Sequence, residues 1–234
     1  MLKTLYKLSF CIAISFLTFA KSYGADSIIL AGADKAKAEG YYYLGYITPF
    51  QGSSLGNGYV SRTWIDYNNY NYDSSNRNIN ASVKGISYTL GYQKKLDSTL
   101  VVASYVGAIF HDTNLSPDDT GNKSRGSDLN PLILAEAEKK LSNFSTFNIN
   151  GSFEPGADTY WSRIRLGFGE GNLKTGPEFT LQGDPTYDSK KIGWFVSGVE
   201  MGKDLNFGAK VGFNSTNDGA YTGFVGIEFT KVLK

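Results

Sequence analysis

The chain has 234 residues, with 16 Tyr, 15 Phe, 27 Gly and only 6 Pro, a composition that suits a single all-β domain. Its 23 Lys and Arg against 22 Asp and Glu give a formal net charge of +1, which argues against a nucleic-acid-binding surface. The mean hydropathy of −0.26 excludes a helical membrane protein. It does not exclude a transmembrane β-barrel, because alternating strands average to a neutral hydropathy.

The N-terminal segment, residues 1–24, is predicted to be an export signal. Lys3 and Lys7 provide a positive start, and the apolar stretch "LSFCIAISFLTFA" follows. Ser22 and Gly24 are the small residues expected before a cleavage site. An uncleaved anchor helix is the alternative, but an apolar stretch of about 13 residues is short for a membrane span.

Twelve segments of the remaining chain alternate in polarity as strands do. In chain order the predicted strands are 27–34, 40–50, 58–70, 79–94, 99–111, 130–141, 144–153, 159–169, 173–183, 190–201, 205–214 and 221–230. The even number matches single-chain bacterial barrels, whose two ends lie on one side of the membrane. Two segments are less regular: the alternation of 79–94 slips near Gly85, and 130–141 is also compatible with a helix.

The lengths of the connections suggest an orientation in the membrane. With the N-terminus in the periplasm, the predicted inner connections are 51–57, 95–98, 142–143, 170–172 and 202–204. The predicted outer connections are 35–39, 71–78, 112–129, 154–158, 184–189 and 215–220. Four of the five inner connections are short and the longest connection is external, which is typical of outer-membrane barrels.

Charged side chains fall on one face of the strands. In "YWSRIRLGF", Ile164 and Leu166 lie on one face and Arg163 and Arg165 on the other. A secreted β-sandwich also alternates, but a membrane barrel turns its charges toward a hydrated lumen and its aromatic residues toward lipid. With the signal and the 15% aromatic content, this predicts a closed antiparallel transmembrane barrel over 25–234. The predicted lumenal charges are Arg62, Arg163, Arg165, Lys174, Glu178, Lys210 and Glu228.

The polar stretch "LSPDDTGNKSRGSD" (115–128) falls in the longest predicted external loop, where water can satisfy its backbone. With its flank, "HDTNLSPDDTGNKSRGS" is similar to the signature loop of the cellulose biosynthesis protein BcsS family, a histidine followed by S/P-D-D-P-x-N and a glycine. Thr120 stands where that family often has a second proline. The residues that carry the resemblance are His111, Asp112, Ser116, Pro117, Asp118, Asp119, Asn122 and Gly126.

Three other stretches resemble the same family in the same order. They are "YYYLGYITPFQGSSLGNGYVSRTW", "TYWSRIRLGF" and "TGPEFTLQGDPTYDSKKIGWF". The chain ends in "FTKVLK" and not on the aromatic residue that is usual for these barrels. Phe229, five residues before the end, could serve as the aromatic residue that the assembly machinery recognises. The resemblance implies an outer-membrane component of bacterial cellulose production, with outer-membrane lipid, cellulose or cellulose-synthase secretion components as partners.

The motifs do not indicate an enzyme, a metal site or a cofactor. His111, the only histidine, is followed by Asp112, and neighbours in a strand point to opposite faces. Ser104 and Ser116 have no nucleophile-elbow context. The aspartates of the polar stretch match no EF-hand spacing, and a turn explains them.

Runs of tyrosine suggest either an aromatic girdle or a carbohydrate surface. For Tyr41, Tyr42 and Tyr43 the girdle is favoured, because consecutive residues point to both faces. For Tyr67, Tyr70 and Tyr72, "YNNYNY", the two readings stay open.

Together these features predict a non-enzymatic outer-membrane accessory of cellulose or exopolysaccharide production or export. The first alternative is a small-solute channel or adhesin without a link to cellulose, and the second is a lipid-modifying enzyme. Cys11 would leave with the signal, so the exported barrel would be stabilised by its sheet without a disulfide.

Overall fold

The computed structural model describes residues 26–216 and 221–234, so the predicted signal at 1–24 lies outside the described residues. The described chain forms twelve antiparallel strands. They are β1 (Ser27–Ala36), β2 (Glu39–Pro49), β3 (Gly58–Ser74), β4 (Arg77–Lys95), β5 (Leu100–Ser116), β6 (Gly126–Lys140), β7 (Ser145–Glu154), β8 (Thr159–Phe168), β9 (Lys174–Gly183), β10 (Asp188–Gly202), β11 (Leu205–Thr216) and β12 (Tyr221–Leu233).

The strands form one closed barrel. Each pairs with its neighbour in the chain, and β1 closes the sheet by pairing with β12 from Ser27 opposite Leu233 to Ala36 opposite Phe224. Closure pairs the backbone groups that lipid could not solvate. The all-β barrel prediction is therefore confirmed, and the sandwich is excluded.

All twelve predicted strands are present in the predicted order, including the two irregular ones. The segment 130–141 is not a helix, because β6 pairs with both β5 and β7. Alternation continues through Gly85, which lies opposite Asp66 of β3. A side chain there would clash, since a Cβ on Gly85 would lie 2.6 Å from Asp66 Oδ2.

The predicted external loop at 112–129 is too long. The connection between β5 and β6 spans only 117–125, so His111, Asp112 and Ser116 belong to β5 and Gly126 to β6. The predicted connection at 71–78 likewise shrinks to 75–76. In these polar segments the strand pairs continue beyond the apolar band, where the polar side chains can contact water.

As a result, one side of the barrel is taller than the other. Strands β3, β4, β5 and β6 have 17, 19, 17 and 15 residues, whereas β7, β8 and β9 have 10 each. The extra length forms a curved extension that we call the outer sheet. It consists of residues 68–74, 77–83, 113–116 and 126.

Below the outer sheet, the strands are apolar outside and polar inside. Large apolar side chains with high exposure surround the barrel, among them Leu44, Ile65, Leu90, Val106, Ile133, Ile192, Trp194, Val211, Phe213 and Val225. Buried side chains such as Thr89, Glu178, Lys191 and Asn214 point inward. This inversion is typical of a barrel that faces lipid. None of the described residues belongs to a helix long and apolar enough to cross a membrane.

The outward face can be tested at Ile164, which lies between Ile149 and Phe179 in the middle of the sheet. Replacing Ile164 by Arg should prevent most of the protein from assembling, because a basic side chain facing lipid at mid-depth costs about 2–4 kcal/mol. The fraction that shifts in gel mobility on boiling measures closed barrel. Ile164→Phe keeps the side chain apolar and should assemble normally; equal assembly of both variants would contradict the assigned face.

Candidate functional site

An arginine on β8 crosses the middle of the lumen. Arg165 Nε donates to Glu178 Oε2 of β9 at 2.5 Å, and its two terminal nitrogens donate to both Glu228 carboxylate oxygens at 2.8 and 2.9 Å. Glu228 belongs to β12, which β9, β10 and β11 separate from β8. The two-pronged contact therefore links walls of the barrel that are not neighbours.

Three further charges complete this group, which we call the lumen ion cluster. Lys210 Nζ lies 2.8 Å from Asp34 Oδ2 and 3.3 Å from Glu178 Oε1. Arg163 lies 3.8 Å from Glu228. Three cations thus face three carboxylates, which is the condition under which buried charges are tolerated.

Most predicted lumenal charges belong to this cluster. The structure brings together Arg163, Arg165, Glu178, Lys210 and Glu228. Two predicted residues lie elsewhere: the Arg62 guanidinium stacks on Trp64 at 4.1 Å, and Lys174 donates to the Gly169 carbonyl at 2.5 Å. Asp34, a member that the sequence did not indicate, is the only charge in the predicted first strand.

A second bridge crosses the lumen nearer the end that the sequence predicts to be external, and it is centred on Glu39. This carboxylate is 2% exposed and pairs with Lys191 of β10. The Tyr187 hydroxyl also donates to it, at 2.6 Å. It accepts further hydrogen bonds from Gln182, Ser189 and Asn214. Glu39 was not among the predicted lumenal charges, because it lies in the predicted connection 35–39.

At the end that the sequence predicts to be external, which we call the outer mouth, two connections place side chains against the barrel wall. From 184–187, Tyr187 packs on Tyr70 of β3 with ring centroids 4.7 Å apart, and the Tyr70 hydroxyl donates to Asp184 at 3.0 Å. From 117–125, Asp119 and Asn122 contact the same wall.

In the second connection, two side chains form hydrogen bonds with the hydroxyl of one tyrosine. The Tyr72 hydroxyl donates to Asp119 Oδ2 at 2.9 Å and accepts from Asn122 Nδ2 at 2.7 Å. Asp119 is 9% exposed and Asn122 is 5% exposed. The predicted external loop is therefore not exposed throughout, because these two side chains are buried. The hydroxyls of Ser74 and Tyr72 lower the pKa of Asp119 by stabilising its carboxylate.

The other signature residues do not meet at one site. His111 points inward, with Nδ1 3.5 Å from Glu154 Oε2, whereas Asp112 is bonded by the Ser127 hydroxyl at 2.8 Å. Asp118 pairs with Arg125 on the surface at 2.6 Å. The remaining three have particular backbone geometry: the Ser116–Pro117 peptide is cis, and Gly126 has a φ of 87°.

This dispersal bears on metal and catalytic chemistry. Asp112, Asp118, Asp119 and Asp128 each have a different partner, so they do not form one ligand set. Across 26–216 and 221–234, no group of three or more His, Cys, Asp or Glu side chains is arranged to hold a metal ion. Ser104 is exposed on the opposite side of β5 from His111.

The tyrosines divide between the two faces. Tyr41 and Tyr43 point inward: Tyr41 accepts a hydrogen bond from the Trp64 indole at 3.1 Å, and Tyr43 stacks on Trp64 at 4.8 Å. Tyr42 and Tyr67 point outward on adjacent strands with centroids 6.1 Å apart. The girdle prediction for the first three tyrosines therefore fits Tyr42 alone.

Comparison with known proteins gives a family and a fold. The model of the family described as "Cellulose biosynthesis protein BcsS" matches residues 28–233. No curated protein matches the chain.

Solved structures similar to this chain are outer-membrane barrels. The transport unit of the autotransporter AIDA-I from Escherichia coli is 8% identical at a TM-score of 0.51, covering 91% of each chain. A KdgM porin is 10% identical at 0.47, covering 87% of this chain and 98% of that one. The translocator domain of NalP from Neisseria meningitidis is 9% identical at 0.44, covering 97% and 95%. The likeness to AIDA-I concerns the fold alone.

The lumen ion cluster makes a prediction about charge balance. Arg165→Met should lower the temperature at which the barrel unfolds in detergent, because removing one partner of a buried pair costs about 3–5 kcal/mol. Adding Glu228→Gln restores the balance and should recover much of the loss. Gel shift against temperature measures both, and Lys123→Met, on an exposed loop, is the control. Additive losses in the double variant would contradict the cluster.

The 117–125 connection makes a prediction about pH. Because the pKa of folded Asp119 lies below its ordinary value near about 3.9, the loop contact is complete above that value and weakens as pH falls below it. A fluorophore on Thr120→Cys, with Cys11 replaced by Ser, should report greater mobility in acid. Asp119→Asn should be mobile at every pH; a pH-dependent signal that persists in this variant would assign the effect to another group.

Proposed function

The chain belongs to the cellulose biosynthesis protein BcsS family, and on that premise we propose that it is a non-enzymatic outer-membrane accessory of cellulose production or export. It works through its surfaces and not by conducting the polymer through its lumen. The observation that carries this proposal is the set of side chains that cross the lumen at successive levels. Export through the N-terminal signal 1–24 is part of the proposal.

The side chains that cross the lumen argue against a conduit. Twelve strands enclose only moderately more space than the eight whose side chains fill a barrel. Arg165 spans the middle, Glu39 spans the region above it, and Tyr187 closes the mouth. A glucan or a solute would have to break buried ion pairs, each of which costs several kcal/mol when one partner is lost. The same side chains argue against the small-solute channel.

The surroundings of the histidine argue against an enzyme. A histidine base needs a nucleophile or a substrate position within hydrogen-bond reach. The neighbour of His111 is Glu154, a second acid–base group, while Ser104 lies on the other face of the sheet. A histidine beside a carboxyl group, with Ser104 turned away on the other face, supports the non-enzymatic role over a lipid-modifying one.

Electrical conductance and cellulose output test the two halves of the proposal. In planar bilayers the purified protein should show no stable open channel. The variant Glu39→Ala, Tyr187→Ala, Arg165→Ala removes both bridges and one of the two mouth contacts, and it should conduct ions if it remains closed as a barrel. In cells, loss of the protein should reduce surface cellulose, measured by dye binding, and the wild-type gene should restore it.

Two results would contradict the proposal. Steady conductance by the wild-type protein would assign a channel role. Unchanged surface cellulose after deletion would remove the accessory role. His111→Ala should restore cellulose to the deletion strain as well as the wild type does, and failure of this variant at normal abundance would point to chemistry at the histidine.

A further inference from the structure

The outward face of the outer sheet has an unusual composition. Its inward neighbours Tyr70, Tyr72, Ile79 and Ala81 are buried under the mouth connections. All of its outward side chains are Asn, Asp or Ser, and most are exposed. They are Asn69, Asn71, Asp73, Asn78, Asn80, Ser82, Asn114 and Ser116.

This composition is not what a strand favours. Asn and Asp are depleted in strands, which prefer β-branched and aromatic residues. Just below, the same strands are apolar on the outward side, with Ile65 and Ile86 directly opposite each other. Polar side chains are expected above the edge of the lipid. Here, however, every outward side chain is a short amide, an acid or a hydroxyl, although these residues weaken a strand, and this points to binding chemistry.

Strand register arranges these groups in rows. Asn71 lies opposite Asn80, which lies opposite Ser116 on the next strand. One row closer to the membrane, Asn69, Ser82 and Asn114 are aligned in the same way. The rows present amide and hydroxyl groups at the spacing of neighbouring strands, about 4.8 Å.

Several of these groups have hydrogen-bonding capacity left. Asn78 donates to Asp73 at 3.0 Å and Asn80 donates to the Ser116 carbonyl at 3.3 Å. The side chains of Asn69, Asn71 and Asn114 form no hydrogen bond with the residues that the structure describes. Each amide can both donate and accept, as the hydroxyl groups of a sugar do.

Two tyrosines lie at the edge of this face that is nearer the membrane. Tyr67 and Tyr42 lie outward at its lower edge, and the Ser82 hydroxyl donates to the Tyr67 hydroxyl at 3.2 Å. The charges nearby are balanced: Lys84 lies opposite Asp112 at the same level. A surface made mainly of amides and hydroxyls, with aromatic rings at its edge, suits a partner that is extended, uncharged and rich in hydroxyls.

We propose that the outward face of the outer sheet binds an extended, uncharged β-linked glucan chain at the cell surface. The side-chain amides in the two rows exchange hydrogen bonds with its hydroxyls, and the rings of Tyr42 and Tyr67 stack on the apolar faces of its sugars. An anionic glycan finds no unpaired cation among the outward residues of this face. The choice of a glucan rests on the proposed function.

Binding of cellohexaose to the full chain in lipid nanodiscs, measured by calorimetry, tests this surface. The wild-type protein should bind. The variant Asn71→Ala, Asn80→Ala, Asn114→Ala should bind at least about tenfold more weakly, because each lost hydrogen bond weakens binding several-fold. The control Lys37→Ala, Thr120→Ala, Lys123→Ala truncates exposed outer-loop side chains and should bind like the wild type. If the triple asparagine variant does not close, Asn71→Ala alone should show a several-fold loss.

No binding of cellohexaose by the wild type, or equal binding by the asparagine variant, overturns the inference, as does tighter binding of anionic oligogalacturonate or lipopolysaccharide. These failures are distinct from failure of the proposed function. A protein that is needed for surface cellulose but does not bind cellohexaose removes only the glucan-binding face. A protein that binds cellohexaose while its deletion leaves cellulose unchanged removes only the accessory role.

Discussion

Lipid offers no hydrogen-bonding partner to a peptide group, and the closed fold of this protein satisfies that constraint. Pairing of β1 with β12 removes the sheet edges that would otherwise expose unpaired amides and carbonyls. Closure in turn forces every strand to show one face to lipid and one to the lumen. The period-two alternation of apolar and polar residues follows from that division.

The inward face then has its own constraint, because charges removed from water must be paired. This protein pairs them across the lumen instead of leaving them around an aqueous pore. Arg165 and Glu39 each connect strands that are not neighbours in the sheet. In the proposed function the interior serves structure, and the surfaces above the lipid contact partners.

Strand order and the faces of the strands were predictable from the sequence because both depend on local alternation. Arg165, Glu178 and Glu228 were assigned to the lumen by parity alone. Their pairing was not predictable, since it depends on which strands face each other across the barrel. The contacts of Glu39 and Asp119 were not predictable for the same reason: their partners lie 152 and 47 positions away in the chain. The polar composition of these segments predicted loops, although the strands continue through them. Composition reflects exposure to water, whereas the end of a strand depends on backbone pairing.

The position of Glu228 has a consequence for how the protein folds. It lies on the last strand, and it neutralises an arginine that the chain places 63 residues earlier. Until β12 has joined the sheet, Arg165 lacks its two-pronged partner, and a nearly complete barrel carries an unbalanced charge in its interior. This imbalance disfavours partly closed forms relative to the complete barrel, in which Arg165 and Glu228 are paired.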